Sequence, residues 1–238
     1  MVPYMRKKKC FHACCLLLLI IAGFLFTRNS AFVGQFGTHV QNDTPVIVID
    51  PGHGGFDPGK VGVNGAYEKD INLSIALKLK LFLEKNDYNV VMIRTEDVGL
   101  YQESDSNKKR TDLKKRIEII NQSNVILAIS IHQNAFSDGS QKGAQVFYHE
   151  KSLEGKELAG IIQDQIKTSI QDGNHRVAKS NSNYYMLKQS LCPLVIVECG
   201  FLSNKNEAEL LNSEDYQEKM AWAIHLGIIE YLNGKKGA

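Results

Sequence analysis

Cysteine is scarce in this 238-residue sequence and badly placed for a disulfide framework. Of the five, Cys10, Cys14 and Cys15 sit in or beside an apolar N-terminal segment. Cys192 and Cys199 lie along one expected strand, roughly 23 Å apart when extended and far beyond bridging distance. The fold therefore rests on its core and not on bridges. A surplus of one charge is missing too. The formal net charge is +2, but Arg6, Lys7, Lys8, Lys9 and Arg28 fall within residues 1–44 against one acid, Asp43. Positions 45–238 then hold 23 basic and 25 acidic residues, net −2, which leaves no electrostatic footprint for nucleic acid. No HExxH and no paired CxxC occurs, so no contiguous zinc motif can be read directly. There is no internal repeat and no low-complexity tract.

The sequence does have a marked N-terminus. MRKKK precedes an apolar run from Cys10 to Phe26, interrupted only by His12. Its length falls between a signal-peptide core and a spanning helix. Cleavage after Ser30, Ala31 or Gly34 would need a small residue two positions earlier, where Arg28, Asn29 and Phe32 stand. Residues 1–26 therefore read as an uncleaved signal-anchor, basic end inside, with the rest of the chain exported. Residues 27–44 are polar and turn-rich and read as a linker, and a single catalytic domain is expected over 45–234.

Within that domain, apolar runs of strand length alternate with segments of helix length. Strands are expected at 46–49, 90–93, 125–131, 144–149 and 194–197. Helices are expected at 72–85 (apolar at 73, 76, 77, 81 and 83), 111–122 (Leu113, Ile117 and Ile120 on one face), 153–170 and about 214–232. VILAISI at 125–131 is apolar throughout, as central parallel strands are. The alternation predicts an α/β fold: an open, mostly parallel twisted sheet with helices on both faces. Such sheets bind ligands beyond the carboxyl ends of their strands.

The polar residues at those ends are distinctive. VIVIDPGHGGFDPG ends the first strand in His53 among glycines; the third run leads into His132, Gln133 and Asn134; LVIV leads into Glu198; and Glu68 stands near the first helix start. Two imidazoles and one carboxylate make a three-ligand set for catalytic zinc with a position left for water. A second carboxylate is then needed to move the water proton. Burial at the end of LVIV would raise the pKa of Glu198 towards a useful range. Each residue also has a plainer reading. Glu68 suits any helix N-terminus through the dipole, and His132 suits a hydrogen-bonded strand end. An acid directly after LVIV is costly unless paired or functional. Among the other histidines, His149 ends a strand and competes as a ligand, while His225 in the last helix reads as a core or surface residue.

From about Val46 to Tyr231 the chain resembles the zinc-dependent N-acetylmuramoyl-L-alanine amidases of the amidase type 3 family. The stretches are IDPGHGGFDPG, EKDINLSIA, SIHQN, GAQVFY and VECGFLSN followed by NEAELL, in the family's order. The resemblance implies His53, Glu68 and His132 as Zn2+ ligands, Glu198 as the catalytic residue and Asn134 as a substrate contact. Gln133 replaces a usually small residue, a change expected to alter the cleft wall. The reaction implied is hydrolysis of the amide between N-acetylmuramic acid and L-alanine of peptidoglycan. The alternatives are a zinc peptidase cutting within the stem peptide and a non-catalytic peptidoglycan-binding protein. The 66 positions from His132 to Glu198 leave no room for a blocking helix, and no appended wall-binding module is expected. The compact form resembles spore cortex amidases, which act before muramic-δ-lactam formation. That likeness implies sporulation and germination and a location in the forespore or cortex space; the N-terminal segment itself implies export with membrane contact. Without a blocking helix, restraint is expected from location, substrate or an activating protein partner. The surface at 179–190, with Tyr184 and Tyr185, borders the expected cleft, the tyrosines reading as half-buried packing.

Overall fold

The computed structural model describes residues 44–236. The expected anchor and all but the last linker residue lie outside the described residues. No helix among those described is long and apolar enough to cross a membrane.

The elements run β1 (Val46–Pro51), α1 (Glu68–Glu84), β2 (Asn89–Met92), α2 (Lys108–Ile120), β3 (Val125–Asn134), β4 (Gln145–Tyr148), α3 (Leu153–Ile170), β5 (Lys179–Ser180), α4 (Tyr185–Gln189), β6 (Leu194–Phe201), α5 (Lys205–Leu211) and α6 (Glu214–Lys236). One six-stranded sheet has the order β2-β1-β3-β6-β4-β5. All pairings are parallel except β4 with β6. The expected fold class is therefore the observed one.

Strand alternation divides the core into two layers. Ile47, Ile49, Leu127, Ile129, Val195 and Val197 pack with α1, α3 and α6. Val46, Val48, Ala128, Leu194 and Ile196 pack with α2 and α4. Every residue of β1 and β6 is buried, because both faces are covered, and this is why their sequences read as continuous apolar runs.

Several boundaries differ from expectation for identifiable reasons. Helix α1 begins at Glu68, and its buried stripe is Ile71, Ile75, Leu79 and Leu83, not Leu73, Leu77 and Leu81. The run INLSIALKLKLFL is apolar on too many sides to fix the helix phase by period alone. In α2, Asn107 accepts the Arg110 N–H as an N-cap at 3.0 Å, so the helix starts three residues early. In α3 the Ser152 hydroxyl caps Gly155 N–H at 3.0 Å, at the expected boundary. Strand β3 continues through His132, Gln133 and Asn134. Cys192 precedes β6 and only Cys199 lies in it; both are free thiols.

Candidate active site

Strands β1 and β3 are neighbours from which the chain departs in opposite directions along the sheet, the kind of switch point that opens a crevice beyond the strand ends. Four elements deliver side chains there. His53 follows β1 in a loop where its own φ is +63°, a left-handed conformation that costs a non-glycine residue energy. Gly52 is required beside it, because a Cβ there would stand 2.2 Å from the His132 ring. Glu68 is the first residue of α1. His132 and Glu198 are register partners on the parallel strands β3 and β6.

Glu68 Oε1 lies 3.2 Å from His53 Nε2 and 2.9 Å from His132 Nδ1, and the three ligand atoms fall within 4.8 Å of one another. Glu68 Oε2 accepts the Lys60 N–H at 2.8 Å, and Oε1 also accepts the Gln133 N–H at 3.1 Å. Burial opposes charge on Glu68, but the hydrogen bonds and charges of the two imidazoles hold its carboxyl far below the usual range. Burial likewise opposes a charged His132, yet the Glu68 carboxylate raises it to about 8. A carboxylate oxygen facing two imidazole nitrogens is satisfied by N–H donors from the rings or by a metal ion between them. His53 Nδ1 stands 2.9 Å from Asp57 Oδ2, and donation to that carboxylate leaves Nε2 as the ligand atom. Two imidazoles and a carboxylate, oriented in this way, fit Zn2+.

Glu198 is 8% exposed, and its Oε2 has no hydrogen-bond partner. Burial pushes its carboxyl up to about 7; the Glu68 charge adds to the rise, while His132 and His53 oppose it. An acid near neutrality, buried beside a ligand set, is suited to accept and return a proton.

The other expected residues separate cleanly. Asn134 ends β3, partly exposed and two residues beyond His132. Gln133 does not form cleft wall: it is 3% exposed, and its amide donates to Asn72 Oδ1 at 3.1 Å behind Glu68. His149 follows β4, which runs antiparallel to β6, so it emerges at the opposite edge of the sheet. His225 is buried in α6 against Phe82 and Trp222, with Nε2 3.1 Å from the Asn86 amide. Tyr184 and Tyr185 open α4 at 36% and 43% exposed, Tyr184 standing edge-on to Phe147.

A brace beneath the His53 loop was not expected. Arg116 is 2% exposed and pairs with Asp50 Oδ1 and Asp112 Oδ2, both at 2.5 Å, while donating to the Pro51 and His53 carbonyls. Ser130 donates to Asp50 Oδ2 at 2.6 Å. Arg94 donates to the Pro51 and Gly52 carbonyls at 2.9 and 3.1 Å. Two guanidiniums thus fix all three carbonyls of the turn that presents His53. Burial opposes charge on Asp50, but Arg116 and Ser130 hold its carboxyl below the usual range. One signal was available: Asp50 follows VIVI as Glu198 follows LVIV. Arg116→Ala, which strands the buried Asp50 charge, is expected to cost about 3–5 kcal/mol. Urea denaturation at pH 7 checks this; since the Asp50 carboxyl is depressed, the loss should shrink as pH falls through its range.

Residues 47–230 match the family model described as N-acetylmuramoyl-L-alanine amidase. The germination-specific N-acetylmuramoyl-L-alanine amidase of Bacillus subtilis (strain 168) is 38% identical over 223 residues, 92% of each chain. Its N-acetylmuramoyl-L-alanine amidase LytC is 32% identical over 187 residues, 78% of this chain and 35% of LytC. Among solved structures, the CwlD amidase from Clostridioides difficile, in complex with the GerS lipoprotein, aligns with a TM-score of 0.77 at 42% identity, over 80% of this chain and 99% of that one. An N-acetylmuramoyl-L-alanine amidase from Clostridium difficile 630 aligns with a TM-score of 0.72 at 33% identity, over 82% and 100%.

Proposed function

The chain belongs to the N-acetylmuramoyl-L-alanine amidase family and is a peptidoglycan hydrolase, and from that premise we propose a zinc-dependent amidase of the spore cortex. His53, Glu68 and His132 would hold the metal, and Glu198 would be the catalytic acid–base. Bound zinc would polarise the scissile carbonyl and make water a better nucleophile near neutral pH. The remaining chemistry falls to the side chains. Glu198 accepts a proton from the water that attacks the lactyl carbonyl. It delivers that proton to the L-alanine nitrogen as the C–N bond breaks, and the new carboxylic acid releases its remaining proton to solvent, leaving a carboxylate on the sugar and a free amine on the peptide. The parallel register sets His132 and Glu198 on adjacent strands, about 4.8 Å apart at the backbone, which supports a ligand and a base acting on one reacting centre. Asn134, two residues on from His132, would hydrogen-bond substrate. The unpartnered, buried Oε2 of Glu198 beside the ligand set carries this reading.

The cortex role is supported by the germination-specific relative, and a protein partner by the solved complex of the clostridial amidase with a lipoprotein. Residues 45–234 would form the catalytic domain, exported behind the N-terminal anchor. Complementation tests the whole reading. Expressed in Bacillus subtilis lacking its germination-specific amidase, the chain should restore muramic-δ-lactam to the cortex, and Glu198→Gln should not. Cortex without lactam, despite accumulation of the wild-type protein, would count against the cortex role.

A further inference from the structure

Beyond Glu198 the same edge of the sheet holds a second concave region. A cavity of about 340 Å³ is lined by Lys142, Gly173, Asn174, His175 and Arg176. Its place relative to the chemistry follows from register. Antiparallel pairing sets Gln145 opposite Glu198, and Arg176 Nη1 reaches Gln145 Oε1 at 3.4 Å. Arg176 is therefore one side chain removed from the catalytic carboxylate.

The guanidinium is held in place by neutral groups. Nε donates to the Lys142 carbonyl at 2.7 Å, Nη2 donates to Gln141 Oε1 at 3.0 Å, and Cζ sits 4.7 Å over the Phe201 ring. Three of its five N–H groups are engaged, leaving one on each terminal nitrogen. Among the described residues, no carboxylate forms an ion pair with Arg176 or Lys142, whereas Lys69 and Arg116 near the site each have one. Glu207 feels the Arg176 charge but gives its two oxygens to the Gly143 and Phe201 N–H groups, at 2.7 and 2.8 Å. An oriented guanidinium with free donors, no anion of its own and a lysine beside it in one cavity is complementary to a carboxylate. In the substrate, free carboxylates belong to the stem peptide, since the lactyl carboxyl of the sugar is tied up in the scissile amide.

We propose that Arg176, with Lys142 beside it, forms a subsite for a free carboxylate of the stem peptide and so discriminates acidic stem peptides from amidated ones. The inference rests on the amidase reading above. The test is a pair of matched muropeptides carrying either a carboxylate or a carboxamide on the residue after L-alanine. Wild-type protein should favour the carboxylate form in kcat/KM by about 10-fold or more, the scale of a charge-assisted hydrogen bond. Arg176→Gln should bring that ratio close to one, acting through KM, and Arg176→Lys should retain part of it. Lys142→Gln leaves the carbonyl that holds Arg176 in place and should lower the ratio partway, which keeps the test decisive if Arg176→Gln fails to fold. A ratio unchanged in these variants overturns the proposal, as does an equal loss on both substrates. Competitive inhibition by inorganic phosphate without carboxylate discrimination would assign the subsite to phosphate and overturn it too. A wild-type protein that frees L-alanine peptides from neither substrate contradicts the amidase reading instead.

Discussion

Glu198→Gln is expected to remove roughly a thousandfold of the amidase rate, within the range of general acid–base catalysis, while leaving zinc content unchanged. The same substitution should stabilise the metal-free protein. The folded-state pKa of Glu198 is raised to about 7, against an ordinary value of 4.5, first by burial and then by the Glu68 charge. Below about pH 4.5 the group is protonated in both states and contributes nothing. As pH rises towards 7 the unfolded chain ionises freely and the folded one resists, so the fold loses stability progressively, by about 3 kcal/mol once pH exceeds 7. Glutamine avoids that loss. Urea denaturation in chelator should show equal stability at pH 4 and a more stable variant at pH 8; equal stability at both would mean the carboxylate is solvated.

Removing the metal should have an effect as large. Chelation should abolish amide hydrolysis, and Zn2+ should restore it. His132→Ala should lose both bound zinc, read by elemental analysis, and activity, since one of the three proposed ligands is gone. The pH dependence of zinc uptake has a definite sign. In the metal-free protein burial opposes the imidazolium, but Glu68 raises His132 to about 8, so the proton competes for the site. Zinc affinity should climb with pH through about 8 and then level off. The proton-mediated His132–Glu68 pairing stabilises the metal-free fold below the unfolded histidine value near 6.5, and that contribution is lost as pH rises through about 8. An affinity flat between pH 6 and 9 would contradict this arrangement.

Much of the candidate site is legible in the sequence because its residues punctuate strands. His53, His132 and Glu198 stand where apolar runs stop, and a mostly parallel sheet brings those stops to one edge. His149 shows the limit of that logic. It also ends a strand, but β4 is reversed, and its four residues are too short a run to show the alternation that would mark it as antiparallel. The phase of α1 does not follow from its sequence, because an over-apolar helix has no single hydrophobic stripe to read. Gln133 reads as a cleft residue if β3 stops at Ile131; as a strand residue it alternates inward, behind Glu68. The brace of Arg94, Arg116 and Asp50 depends on contacts between residues more than 40 positions apart in sequence, as in Arg94 with the Gly52 carbonyl. The left-handed conformation of His53 is likewise a property of the assembled loop. Short elements such as β5 and α4 carry too few residues to show a period.

Mass spectrometry of the products tests the central claim most directly. Zinc-loaded wild-type protein and Glu198→Gln would be incubated side by side with purified peptidoglycan. Released peptides should begin with a free L-alanine amine, with matching glycan strands stripped of peptide, and the variant should yield neither. Cleavage between residues within the stem peptide, or undiminished release by Glu198→Gln, would contradict the assignment.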